Sequence, residues 1–151
     1  MKTLLLVAFV VSGACYDDVW IMPESVAKEI VREELEARGV DAGDTTRVVA
    51  DLPLCVEGSP CRTVTLALDG WDEVERVGFA YILPSERGGL PHDVRVESDE
   101  ADALQVELDA REEAEGIIVV FRRWAHETEY LARSGFRSSV ESKLDARGLT
   151  E

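Results

Sequence analysis

The chain has 151 residues, 46% of them hydrophobic and 31% charged, a composition that suits one folded domain and excludes wholesale disorder. Acids outnumber bases 31 to 16, and the net charge of −15 repels nucleic-acid phosphates and anionic lipid headgroups alike. The plain reading of that acidity is solubility. Basic partners and weakly bound divalent cations are the less economical alternatives.

In chain order, Lys2 precedes an apolar run of eight residues, Leu4 to Val11, and then the small residues Ser12, Gly13 and Ala14. A charged start, a short apolar core and small residues before a cut describe a secretory signal over residues 1–14. Eight residues rise only about 12 Å as a helix, whereas a bilayer core needs roughly 20, so the run does not span a membrane. Ser12 and Ala14 suit the ordinary signal peptidase, whose cut would give a freely secreted chain. The stretch VSGAC (11–15) also resembles a bacterial lipoprotein signal, in which a small residue precedes a cysteine. Ser12 stands where the usual pattern has an aliphatic residue, and Val11 lies one place earlier.

That resemblance covers residues 1–15 and implies that Cys15 becomes the lipid-bearing first residue of the mature chain. Acyl chains would anchor it at about 0.8 kcal/mol per buried methylene. Three cysteines are present, Cys15, Cys55 and Cys61, and in an oxidising compartment two pair and one is left over. A lipid on Cys15 accounts for the odd one and leaves Cys55 and Cys61 as a pair. Lipid anchoring is therefore preferred to free secretion. The expected organisation is a signal peptide (1–14), a lipidated lead-in (15–22) and a single globular domain (23–151).

The lead-in carries Tyr16, Val19, Trp20, Ile21 and Met22, too apolar for a flexible tether. It is expected to pack on the domain; the alternative makes Trp20 a contact residue at the headgroup layer. Pro23 suits the first turn of a helix and Gly39 its end, with Val26, Ala27, Ile30, Val31 and Leu35 as one apolar stripe between them.

From Arg47 the period changes to two. Val48, Ala50, Leu52, Leu54 and Val56 alternate, Pro53 demotes or bends that strand, and Val64, Leu66 and Leu68 alternate in the next. Gly58 and Pro60 mark a turn between the runs, so a Cys55–Cys61 disulfide would clip a hairpin. Zinc would need two further ligands and the redox motif is C-x-x-C, so the clip is structural.

Asp69 and Gly70 open a turn that sets Trp71 at a hairpin tip. There it either faces solvent as a contact residue or, the favoured reading, folds back onto the sheet. Val77 to Leu83 is apolar or small on both faces and reads as a central strand. Residues 98–116 alternate like a strand but have helical composition, acids in the first turn and Gly116 as a stop, so helix is preferred. Ile117 to Phe121 reads as a buried strand. A helical region with Trp124, Leu131, Phe136, Val140 and Leu144 follows, and Gly135 is expected to break or kink it. The similar stretches ELEARGV (34–40) and KLDARGL (143–149) read as shared helix-end chemistry rather than a repeat.

Signals for catalysis are sparse. His126 opens H-E-T-E-Y, where Tyr130 replaces the second histidine of the zincin motif, so a solvent-facing histidine is expected. His92 beside Asp93 is a candidate base–carboxylate pair, though a surface loop histidine is the simpler reading. No metal or cofactor motif is present.

The expectation is an α+β fold: a mainly antiparallel sheet with helices packed on one face and one hairpin disulfide. The expected function is an exported, lipid-anchored module of the cell envelope, non-catalytic, with the membrane and an envelope protein as partners. The alternative is an exported hydrolase working through carboxylates or His92. Weak divalent-cation binding is a third reading.

Overall fold

A computed structural model describes residues 19–58, 60–82 and 98–150. In chain order these form β1 (Trp20–Ile21), α1 (Glu24–Glu36), β2 (Val48–Leu54), β3 (Arg62–Ala67), β4 (Gly70–Asp72) and β5 (Val77–Ile82). Then come α2 (Ser98–Ala110), α3 (Glu112–Glu115), β6 (Ile117–Arg122), β7 (Ala125–His126) and α4 (Glu129–Asp145). The fold is α+β.

The centre is a three-stranded sheet in the order β4-β5-β6. All six residues of β5 are buried, as a central strand with two apolar faces requires. β4 pairs with β5 antiparallel, but β5 and β6 run parallel, from Val77 opposite Ile117 to Ile82 opposite Arg122. A parallel pair needs a long crossover and tends to be buried on both faces. Both conditions hold here. Val77, Phe79, Tyr81, Val119 and Phe121 face a layer that includes α1 and α4, where Val31, Leu35, Val140 and Leu144 meet them. Ala80, Ile82, Ile118 and Val120 face the opposite layer of α2 and the β2–β3 hairpin, with Leu104, Leu108, Leu52 and Leu66. The expectation of helices on one face is thus corrected: β5 and β6 carry apolar side chains on both faces, so both need cover.

α1 forms where Pro23, at φ −59°, starts a stripe whose Ala27, Ile30, Val31 and Leu35 are all buried. Each such leucine or isoleucine contributes about 1.5–3 kcal/mol by leaving water. The helix ends in a Schellman turn. Gly39, at φ +78°, donates to the Glu36 carbonyl (2.9 Å), and Val40 donates to Leu35 (3.0 Å). α4 ends identically, with Gly148 at φ +77° donating to Asp145 and Leu149 to Leu144. The two similar stretches are indeed one kind of helix end.

Three sequence expectations need adjustment. The stripe in β2 changes phase at a bulge between Val49 and Leu52, so Val49, Leu52 and Leu54 are buried while Val48 and Ala50 face out. Asp51 takes φ +54° there, and the Arg111 guanidinium holds the bulge through the Ala50 (3.1 Å) and Asp51 (2.6 Å) carbonyls. α4 runs unbroken through Gly135, because burial of Ala132, Phe136, Val140 and Leu144 outweighs the roughly 1 kcal/mol that a helical glycine costs. Trp124 lies outside that helix, its indole packed on Gly135 and tilted against Phe136.

The helical reading of 98–116 holds, with Ala101, Leu104 and Leu108 buried, Val106 exposed and Gly116 at the end of α3. The lead-in packs on the domain from Trp20 onward. β1 pairs antiparallel with β7, and Met22 is buried and donates to the Trp124 carbonyl (2.9 Å).

Candidate functional site

An open groove of about 570 Å³ lies between the first half of α1, residues 44–45 and the β3–β4 turn. It is lined by Glu24, Ser25, Lys28, Arg32, Asp44, Thr45, Leu68 and Asp69. Asp69 organises it. One carboxylate oxygen accepts from the backbone N–H of Tyr81 (2.6 Å), while the other meets Lys28 Nζ at 2.6 Å. The Asp69 N–H donates to the Phe79 carbonyl (2.8 Å), and its own carbonyl accepts from Arg32 (3.1 Å).

Lys28 also pairs with Glu24 on the preceding turn, and Arg32 reaches Asp44 at 2.5 Å. Burial works against the Lys28 ammonium, but hydrogen bonds from it to Asp69 and Glu24 outweigh burial and hold its pKa above the ordinary lysine value. The charges of the groove therefore answer one another and fasten α1 to the sheet edge. Chemically the groove offers two cations, three carboxylates and two hydroxyls over Leu68, a surface for a polar ligand carrying both signs.

The sheet's outer edge is closed by side chains. Among the described residues no strand pairs with the far side of β6; instead Gln105 of α2 donates to the Ile118 carbonyl (2.9 Å) and accepts from the Val120 N–H (2.8 Å). One amide side chain stands in for a peptide unit of a neighbouring strand. Lys143 of α4 donates to the Val120 carbonyl (2.9 Å) and lies 5.5 Å from the Phe121 ring centre. Burial lowers its pKa, partly opposed by Asp102. At the other edge, Trp71 donates its backbone N–H to the Gly43 carbonyl (3.1 Å).

Comparison of the chain with family models, curated proteins and solved structures found no match.

The residues singled out from sequence fall in separate places. Cys15, His92 and Asp93 lie outside the described residues. Cys55 and Cys61 are disulfide-bonded across the β2–β3 turn. Trp71 is buried in β4 rather than exposed at a hairpin tip. Its ring lies against Gly78 on one side, the Arg47 guanidinium sits 3.9 Å from its centre, and its Nε1 donates to Glu73 (2.5 Å). The contact reading of Trp71 is thus set aside for the favoured one, a ring folded back onto the sheet, because β4 turns it into the layer beneath α2. Trp20 is half-buried against the core, and its neighbour Ile21 faces out. His126 is exposed, its Nδ1 accepting from the Glu127 N–H (2.9 Å).

Sequence reasoning missed the roles of Asp69 and Gln105; it pairs Arg38 with Glu34 one turn away, as observed at 3.1 Å, but not with the second helix end. Only Arg38 left a signal, through the shared A-R-G helix ends. Among the described residues no group of three or more histidines, cysteines or acids is arranged to hold a metal. No helix among them is long and apolar enough to cross a membrane.

Proposed function

We propose that this protein is exported, that residues 1–14 are removed, and that Cys15 then carries a lipid holding the domain at a membrane. The domain is a non-catalytic binding or structural module of the envelope. The observation that carries this reading is the Cys55–Cys61 disulfide, which commits two of the three cysteines and leaves Cys15 as the odd one. Disulfides persist in oxidising compartments, and an unpaired thiol beside a signal-like segment is explained by lipid attachment. The mutual pairing of Lys28, Arg32, Asp69 and Asp44 supports a structural role for the groove.

Intact-mass analysis of the protein from its native membrane, before and after thiol alkylation, tests this. The expected product begins at Cys15, exceeds its polypeptide mass by the attached lipid, and takes up no alkylating agent until reduced. A chain retaining Met1, or one with three alkylatable thiols, would overturn the reading.

A further inference from the structure

We infer that the end of the domain formed by β1, β7 and the first turn of α4 is the face that lies on the membrane, with Val19, Ile21, Tyr130 and Leu131 in contact with the lipid interface. This rests on the lipid anchor at Cys15 proposed above. Chain length supplies the first argument. Val19 is four residues beyond Cys15, and an extended chain spans at most about 3.6 Å per residue, so the described domain begins no more than about 14 Å from its anchor. A tether that short leaves the domain no freedom to present a distant face. Whatever lies beside β1 is held at the level of the headgroups.

What lies there is unusually apolar for so acidic a chain. Seven large hydrophobic side chains are exposed among the described residues, and four of them are Val19 (53%), Ile21 (46%), Tyr130 (78%) and Leu131 (39%). Val19, just before β1, and Ile21 within it flank the half-buried Trp20, and both side chains are exposed. β1 pairs with β7 through Ile21 opposite Ala125, and α4 begins three residues after β7 ends. Tyr is favoured at the membrane–water interface, where its ring is buried and its hydroxyl stays wet.

Charge points the same way. Residues 19–22 carry none, and residues 122–133 hold Arg122, Arg123 and Arg133 against Glu127 and Glu129, a local charge of +1. The whole chain carries −15. Near an anionic surface an end without net negative charge approaches without repulsion.

The test uses the full mature chain, oxidised so that Cys15 holds the free thiol, coupled there to a maleimide phospholipid and inserted into phosphatidylethanolamine–phosphatidylglycerol vesicles. Amide hydrogen exchange is compared with the uncoupled chain in solution. Exchange is expected to slow several-fold in peptides covering 19–22 and 125–131. It should be unchanged around Val74 and Val106, which are exposed but distant in sequence from the anchor. In the I21D/Y130D/L131D variant, whose far-ultraviolet circular dichroism should match the parent, the slowing should disappear. Unchanged exchange in 19–22 and 125–131 on vesicles, or protection centred on another face, would overturn this inference and leave the anchor intact. A native protein without lipid on Cys15 would instead remove the anchor on which it rests.

Discussion

Arg38 and Leu149, 111 positions apart, are joined by a hydrogen bond of 2.8 Å from the Arg38 Nε to the Leu149 carbonyl. The same guanidinium donates to the Glu34 carbonyl (2.9 Å), the Glu34 carboxylate (3.1 Å) and Asp145 (3.1 Å). Its side chain is 3% exposed. Two identical helix ends are thereby clamped together, and Arg137 of α4 closes the network on Glu33 and Glu34. Replacing Arg38 by alanine leaves Glu34 with one cation and the Leu149 carbonyl with none of these donors. The expected loss is about 2–3 kcal/mol in urea unfolding, with Arg38→Lys recovering only part because it lacks the planar fork.

Gly78 lies directly opposite Trp71. A Cβ at Gly78 would stand 2.6 Å from the Trp71 ring and 2.7 Å from the Gly70 carbonyl oxygen. The Gly78→Ala variant should lose about 1–3 kcal/mol, with a changed near-ultraviolet tryptophan signal as the indole shifts.

Asp72 accepts from the N–H groups of Glu75 (3.0 Å), Asp41 (2.8 Å) and Val74 (2.8 Å), and these bonds hold its carboxyl below the usual aspartate pKa against the opposing effect of burial. With the folded value below the unfolded one, its stabilisation is complete above about pH 4 and is lost as pH falls through the folded value. The melting-temperature gap between the parent and Asp72→Asn should be widest near neutrality and narrow in acid. A gap independent of pH would contradict the assignment.

The Cys55–Cys61 bond closes a short loop, for which chain entropy gives roughly 2 kcal/mol. Reduction, or the C55S/C61S pair, should lower stability by about that amount without unfolding the domain. The loss should be read by chemical denaturation with and without reductant.

Gln105 is the partner of the β6 edge. Gln105→Ala should cost about 1–3 kcal/mol, because the Val120 N–H and the Ile118 carbonyl lose their hydrogen bonds. The bared edge should also raise light scattering on heating, since an open edge recruits other strands.

How much of this was legible beforehand varies by element. α1 was readable because its stripe, its proline and its glycine all describe one local geometry. β5 was readable as central because both faces are apolar. The disulfide followed from spacing within a single turn. The phase of β2 is not legible in the sequence, because a bulge is a backbone event that Pro53 hints at but does not locate. The continuity of α4 through Gly135 depends on the packing of Phe136 and Val140, which local propensity does not contain.

The helix ends are legible in the linear chain, because Gly39 and Gly148 answer to carbonyls a few positions away; the proposed export signal over residues 1–14 likewise draws on local sequence alone. Which strands run parallel, that both sheet faces are covered, and that Asp69, Gln105 and Arg38 are the joints between layers belong to the assembled molecule. Each of those joints is a directional hydrogen bond between groups far apart in the chain. Their partners are chosen by how the layers come to rest, and no short stretch of sequence encodes that placement.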